Sequence, residues 1–260
     1  MKNEKVCLVT GGAKRIGSFI CSELAKDGWN VAIHYNKSEY ESKVLEEEIK
    51  NLGKSSISVQ ADFNTFTNND MFFDLINNVE KKLGPIGLLV NNAAVFKFDS
   101  PDSTSLDQMR FHLSNNLIAP IMLTQSLYQL RKTNKYNLTN SAVINLLDQK
   151  LWNTNPDFFS YTLSKSALNE ATVLMAKSFA PYLRVLGIAP GITLPVEEQN
   201  ENDFKKAHSK TPLKKSSTPT DIAEAVVWLS KAKAITGTTL IVDGGQHLVP
   251  SERDVVFMKS

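Results

Sequence analysis

The chain has 260 residues, of which 42% are hydrophobic and 22% charged. That composition suits one globular domain with a real apolar core. Lysine and arginine total 29 against 27 aspartate and glutamate, a formal net charge of +2, which argues against a broad nucleic-acid or anionic-membrane surface.

No stretch approaches the roughly 20 apolar residues of a membrane span. The run Val6-Cys7-Leu8-Val9 is too short for a signal-peptide core. Cys7 and Cys21 read as small buried side chains, and a reducing cytoplasm is the expected compartment.

Residues 5–9 predict a buried strand. Ile16, Phe19, Ile20 and Leu24 follow at helical spacing up to Gly28. Val31–Ile33 predicts a second strand. Ser38 stands as an N-cap for a helix that buries Val44, Leu45, Ile49 and Leu52 and ends at Gly53. A third strand is expected over 57–59, a helix carrying Met71 to Val79 ends at Gly84-Pro85, and a fourth strand covers 88–90. A long helical stretch spans about 105–131, with a kink or a broken turn expected at Pro120. Further elements are a strand at 142–147, a helix at 160–180 and a strand at 184–188. Thr218-Pro219 opens a last helix to about 231, and 239–242 reads as a last strand. The polar stretch 195–218, with a short helix near 203–209, reads as a lid or substrate loop. The tail after Gly245 reads as irregular.

Alternating strands and helices with short connections imply parallel strands and right-handed crossovers. The strands are continuous apolar runs, as a sheet covered on both faces requires. The expected fold is therefore α/β: a single-domain Rossmann fold with a doubly wound parallel sheet of about seven strands.

Thr10-Gly11-Gly12-Ala13-Lys14-Arg15-Ile16-Gly17 sits between the first strand and the first helix. Glycines there permit a tight turn and close approach to a pyrophosphate, which the helix N-terminus favours. The spacing is not G-x-G-x-x-G. After strand two the chain reads His34-Tyr35-Asn36-Lys37-Ser38, with no acid to hold a ribose 2′-hydroxyl. Asn36, Lys37 and Ser38 can instead donate to a 2′-phosphate, so NADP(H) is the expected cofactor. The histidines His34, His112, His208 and His247 are scattered, and no metal site is expected.

Taken in order, these segments resemble the short-chain dehydrogenase/reductase family over nearly the whole chain. Gly11, Arg15, Ile16 and Gly17 match its cofactor turn, and Asp62 matches its adenine contact. Asn91-Asn92-Ala93-Ala94 matches its N-N-A motif, and Asn116 its structural and catalytic asparagine. Tyr161-Thr162-Leu163-Ser164-Lys165 matches Y-x-x-x-K, and Pro190-Gly191 with Thr193 the loop over nicotinamide. Residues four apart share a helix face, so Tyr161 and Lys165 can enter one site. A nearby ammonium is expected to lower a tyrosine pKa from its usual value of about 10. One position departs from the general family: Asp148 stands where a serine usually holds the substrate carbonyl.

That departure is shared by pteridine reductases and dihydromonapterin reductases, which this sequence also resembles at 34–38, 92–96 and 116–120. The resemblance implies NADPH-dependent reduction of a pterin-type C=N bond, with carbonyl or 3-oxoacyl reduction as the alternative. It implies that Asp148, Tyr161, Lys165 and Asn116 are catalytic, and that Arg15 touches both cofactor and substrate. Phe96 would stack on the pterin, and Phe158 would either wall the same pocket or pack in the core. A serine often found at the position of Ala94 is absent. A homotetramer follows from the family, with helices 105–131 and 160–180 between subunits.

Overall fold

Short apolar runs separated by amphipathic helices leave the chain one efficient way to bury both, a covered parallel sheet. The computed structural model describes residues 5–133, 141–195, 204, 206 and 208–257. The strands are β1 (Val6–Val9), β2 (Asn30–Tyr35), β3 (Ser56–Gln60), β4 (Ile86–Asn91), β5 (Ser141–Leu146), β6 (Leu183–Pro190) and β7 (Thr239–Val242). They form one seven-stranded sheet in the order β3-β2-β1-β4-β5-β6-β7, with every neighbouring pair parallel.

The helices are α1 (Ile16–Lys26), α2 (Glu39–Asn51), α3 (Asn69–Leu83), α4 (Leu106–Leu113), α5 (Ala119–Lys132), α6 (Phe159–Phe179) and α7 (Pro219–Lys231). Successive strand residues face opposite ways. Cys7 and Val9 therefore meet Ile20 and Leu24 of α1, Ile49 of α2 and Val226 of α7 on one face. Val6 and Leu8 meet Ile76 of α3, Leu123 of α5 and Met175 of α6 on the other. Strand order reverses between β1 and β4, and the crevice at the carboxyl ends of these strands is where such sheets take ligands.

The broken turn expected in the 105–131 stretch is a π-helical turn, Ser114–Ile118, just ahead of Pro120. Pro120 itself sits in the first turn of α5, where its missing N–H costs nothing. Ser38 does occupy the N-cap position of α2, but its side chain makes no capping bond. The capping device appears in α7 instead, where Thr218 and Asp221 exchange side-chain to backbone bonds. The short helix read near 203–209 lies partly outside the described residues.

Gly17 opens α1 against the turn that follows β1. A Cβ there would collide with the Gly11 carbonyl oxygen and come within 2.8 Å of the Asn92 amide nitrogen. Gly17→Ala should therefore cost about 1–3 kcal/mol, as overpacking does. A urea unfolding midpoint equal to that of the native chain would show that the turn yields freely.

Candidate active site

The turn after β1 is held from three sides. The Gly11 N–H donates to Nδ1 of His34 at 3.0 Å, and Nε2 of the same ring lies 3.2 Å from the Ala61 carbonyl. Nδ1 must accept, so Nε2 carries the proton and the ring is neutral. Burial agrees, lowering the His34 pKa to about 4. Thr10 Oγ1 accepts from the N–H groups of Asn92 and Ala93, both at 3.0 Å. The Asn92 amide in turn donates to the Thr10 and Gly11 carbonyls at 3.0 Å.

Two of the residues expected at the cofactor have their side chains engaged by the protein itself. His34 borders the cleft, but both of its nitrogens are spent on the protein, and its ring stacks on Phe63 at 4.6 Å. The Asn91 side chain is buried and donates to Asn145 Oδ1 at 2.8 Å, away from the cleft. The strand alternation that turns Asn91 inward turns Asn92 toward the turn.

A cavity of about 420 Å³ runs over the turn, bordered by Gly11, Lys14, Arg15, Ile16, Asn36, Lys37, Ser38 and Ala93. Among the described residues lining it, none is acidic. Gly11 has φ +59 and packs so closely that a Cβ would lie 3.0 Å from Ala93 Cα, which leaves the backbone open to a ligand. Arg15 also has positive φ, and its guanidinium donates to the Pro195 carbonyl at 3.2 Å. Asp62 does not line this cavity, although Ala61 and Phe63 do. Its carboxylate accepts from the Asn64 N–H at 3.0 Å and caps a short 3₁₀ turn.

Arg15, Ile16, Asn92 and Ala94 also border a second cavity of about 350 Å³, so the two adjoin. Its floor carries Asp148, Tyr161 and Lys165. The Tyr161 hydroxyl donates to Asp148 Oδ2 at 2.8 Å, and Asp148 Oδ1 accepts from the Lys150 N–H at 2.8 Å. Lys165 Nζ donates to the Leu146 carbonyl at 2.6 Å and lies 5.8 Å from the Tyr161 ring centroid.

The electrostatics reverse one expectation. Burial pushes the Tyr161 phenol well above its ordinary value, and the charge of Asp148 with its accepted hydrogen bond pushes it further. The expected lowering by Lys165 does not appear, because the tyrosine's hydrogen-bond partner is a carboxylate. Burial also raises Asp148, opposed by the Lys150 N–H and the Tyr161 hydroxyl. Burial lowers Lys165 to about 8, with Asp148 acting the other way.

Asn116 lies in the π turn and is fully buried. It accepts from the Val95 N–H at 2.8 Å and donates to the Val95 carbonyl at 3.0 Å and to Ser164 Oγ at 3.1 Å. It ties the strand exit to α6 and makes no bond to Tyr161 or Lys165, so its place is that of a positioning residue. Phe96, which is 41% exposed, borders the second cavity. Phe158 is buried behind it, stacked at 4.0 Å, and does not border the cavity. Of the two readings of Phe158, packing is the one that fits.

Pro190 ends β6. Gly191 follows, where a Cβ would lie 2.6 Å from Ser216 Oγ. Thr193 Oγ1 bonds the Gly191 carbonyl at 2.8 Å and is 2.8 Å from Ser217 Oγ. The tail, read as merely irregular, supplies Val249, Pro250, Arg253, Asp254, Val255 and Val256 to the second cavity. Lys150 and Asp254, 104 positions apart, form a partly buried ion pair beside Asp148. No local spacing announces that pair.

The chain belongs to the short-chain dehydrogenase/reductase family, with residues 11–247 matching the family described as enoyl-(acyl carrier protein) reductase. It is 38% identical to the FolM alternative dihydrofolate reductase 1 of Brucella canis complexed with NADP, with a TM-score of 0.88 over 96% of each chain. The Brucella suis counterpart, also in complex with NADP, gives 36% identity and a TM-score of 0.85, covering 97% of this chain and 98% of that one. Among curated relatives, the 3-oxoacyl-(acyl-carrier-protein) reductase FabG of Staphylococcus epidermidis is 30% identical, over 94% of this chain and 99% of its own length. Glucose 1-dehydrogenase 2 of Bacillus subtilis is 28% identical, over 95% and 96%. These relatives are oxidoreductases, and among the described residues no helix is long and apolar enough to cross a membrane.

Tyr161 should stay a phenol until above pH 10. An ultraviolet difference titration of native chain against Tyr161→Phe should show no tyrosinate near neutrality, and Asp148→Asn should bring the tyrosinate to lower pH. A tyrosinate forming near pH 7 in the native chain would contradict the observed hydrogen bond.

His34 has a folded pKa of about 4 against an unfolded value near 6.5. A depressed value means its contribution to stability is present above pH 6.5 and is lost as pH falls toward 4. The loss should be on the order of 3 kcal/mol. Unfolding free energies measured across this range should fall less steeply for His34→Asn than for the native chain.

Proposed function

We propose that the chain is an NADPH-dependent reductase of pterin-type C=N bonds, with dihydropterins such as dihydromonapterin, and dihydrofolate, as substrates. The observation that carries this reading is the hydrogen bond from Tyr161 to Asp148 at 2.8 Å on the cavity floor. An ionised carboxylate cannot donate to a carbonyl oxygen, and it repels a developing alkoxide. A carboxyl group does suit a ring nitrogen, which must gain a proton as the adjacent carbon gains hydride. The names of the two Brucella neighbours support the same choice.

The cleft fits the cofactor. Lys14, Arg15 and Lys37 border its outer half with no acid among the lining residues, which suits a phosphate-rich ligand bearing a 2′-phosphate. Gly11 and Gly17 keep side chains out of the turn, and α1 begins there. NADPH, when bound, supplies the hydride. On the protein side, Asp148 and Tyr161 hold the proton that goes to the substrate nitrogen. Burial raises the affinity of both for that proton, and the Tyr161 phenol carries it toward Asp148 through their hydrogen bond. Lys165, at about 8, can exchange a proton near neutrality and is anchored to the end of β5 through Leu146.

Phe96 offers an exposed aromatic face to a planar heterocycle. The loop 193–218 serves as the substrate loop in this reading, since Thr193, Leu194, Lys210 and Thr211 border the same cavity. The FabG relatives support a second reading, 3-oxoacyl reduction. Asp148 stands against it, because no hydroxyl at that position can hold a ketone oxygen.

One assay separates the readings. Oxidation of NADPH and NADH is followed against dihydropterins, dihydrofolate and 3-ketoacyl thioesters. NADPH with dihydropterins should turn over, and thioesters should react poorly. Asp148→Ser should lower pterin reduction by about 10²-fold or more, the scale of a lost acid–base group. Efficient thioester reduction with no dihydropterin turnover would overturn the reading.

A further inference from the structure

The C-terminal segment is knitted to the loop that follows β5 by more contacts than docking a tail requires. Lys150, only 3% exposed, donates from Nζ to Asn155 Oδ1 at 2.6 Å and to Asp254 Oδ2 at 2.8 Å. Asp157 Oδ2 accepts from Arg253 Nε at 2.7 Å and from the Asp254 N–H at 2.8 Å. Asn153 donates to the Val249 carbonyl at 2.5 Å and accepts from the Ser251 N–H at 3.3 Å. Phe257 stacks on Phe158 at 5.8 Å, and Phe158 stacks on Phe96 at 4.0 Å.

These contacts converge on the two side chains that the proposed reaction uses most. The Lys150 backbone holds Asp148 Oδ1, while its ammonium lies 5.5 Å from the ring of Phe158, the ring behind Phe96. Between the anchors, Val249, Pro250, Val255 and Val256 border the cavity. An ion pair with a buried lysine is an expensive way to fasten a tail, since apolar packing costs less desolvation. What it adds is direction, because an ammonium with two fixed acceptors holds one geometry.

We propose that residues 249–257 form a built wall of the substrate cavity, and that Lys150 and Asp254 latch it as positioning residues for Asp148 and Phe96. The wall makes the cavity selective for a compact planar substrate, an inference that rests on the pterin-reductase reading. Neither residue donates to the substrate. Their effect runs through the placement of the wall and of the two side chains that they brace.

The test uses the full chain with NADPH and a dihydropterin. Asp254→Asn and Lys150→Met keep the Lys150 N–H that holds Asp148, so they should raise KM about tenfold or more while kcat falls less than about threefold, the signature of lost binding common to ground and transition states. NADPH affinity, read by its fluorescence, should stay within about twofold, because the outer cleft does not touch the latch. Lys150→Arg should restore most of the native KM, since a guanidinium can meet both acceptors. Phe257→Ala, which strands no buried charge, should raise KM in the same direction and covers the case in which the charge variants do not fold.

Amide hydrogen exchange over 249–257 should quicken in Asp254→Asn, a readout that needs no substrate. Native KM and kcat in Asp254→Asn and Phe257→Ala would overturn the proposal, as would an equal loss of NADPH affinity. If the native chain reduces no dihydropterin, the functional reading falls by itself. Unchanged exchange over 249–257 would then sink the latch independently.

Discussion

The hydrogen bond from Tyr161 to Asp148 is the interaction around which the inner cavity is arranged. It joins the end of β5 to the first turn of α6, and neither group lies in bulk water. Burial raises the proton affinity of both, and the proton on Tyr161 points at the Asp148 carboxylate. Lys165 stands beneath the pair yet is tethered to the Leu146 carbonyl. The usual picture of a lysine drawing a tyrosine toward phenolate does not describe this resting geometry. One substitution relative to the general family pattern, a carboxylate for a hydroxyl, changes the charge balance of the whole site.

Much of the fold was legible in the residues because each element carries its own pattern. Continuous apolar runs gave the strands, and Gly28, Gly53 and Gly84, all with positive φ, ended helices where they were expected to. The long stretch 105–131 was readable as helix but not as two helices around a π turn. A π turn adds a residue without changing composition, so apolar spacing hardly registers it. Asn116 owes its inward position to that insertion.

The candidate site was legible where residues act through short spacing and hidden where they act across the chain. Tyr161 and Lys165, four apart on one helix, could be paired from sequence. Asn91 and Asn92 could not be told apart, because which one faces the cleft depends on how the strand exits the sheet. His34 stands just before Asn36-Lys37-Ser38 in the chain, yet its ring is consumed by Gly11 and Ala61. The Lys150–Asp254 pair and the tail's place in the cavity depend on tertiary closure alone.

The strut role of His34 has a further consequence. A phosphate-binding turn ordinarily offers its backbone N–H groups as fixed, largely salt-insensitive donors. Here the Gly11 N–H is already given to His34 Nδ1, and the Gly12 N–H to the His34 carbonyl at 2.9 Å. With those two spent, recognition of a phosphate falls to the N–H groups that open α1 together with the side chains of Lys14, Arg15 and Lys37 at the rim of the cleft. Charges on exposed side chains are screened over about 8 Å at physiological ionic strength. Cofactor affinity in this protein is thereby tied to the ionic strength of its surroundings more closely than the fold alone would require.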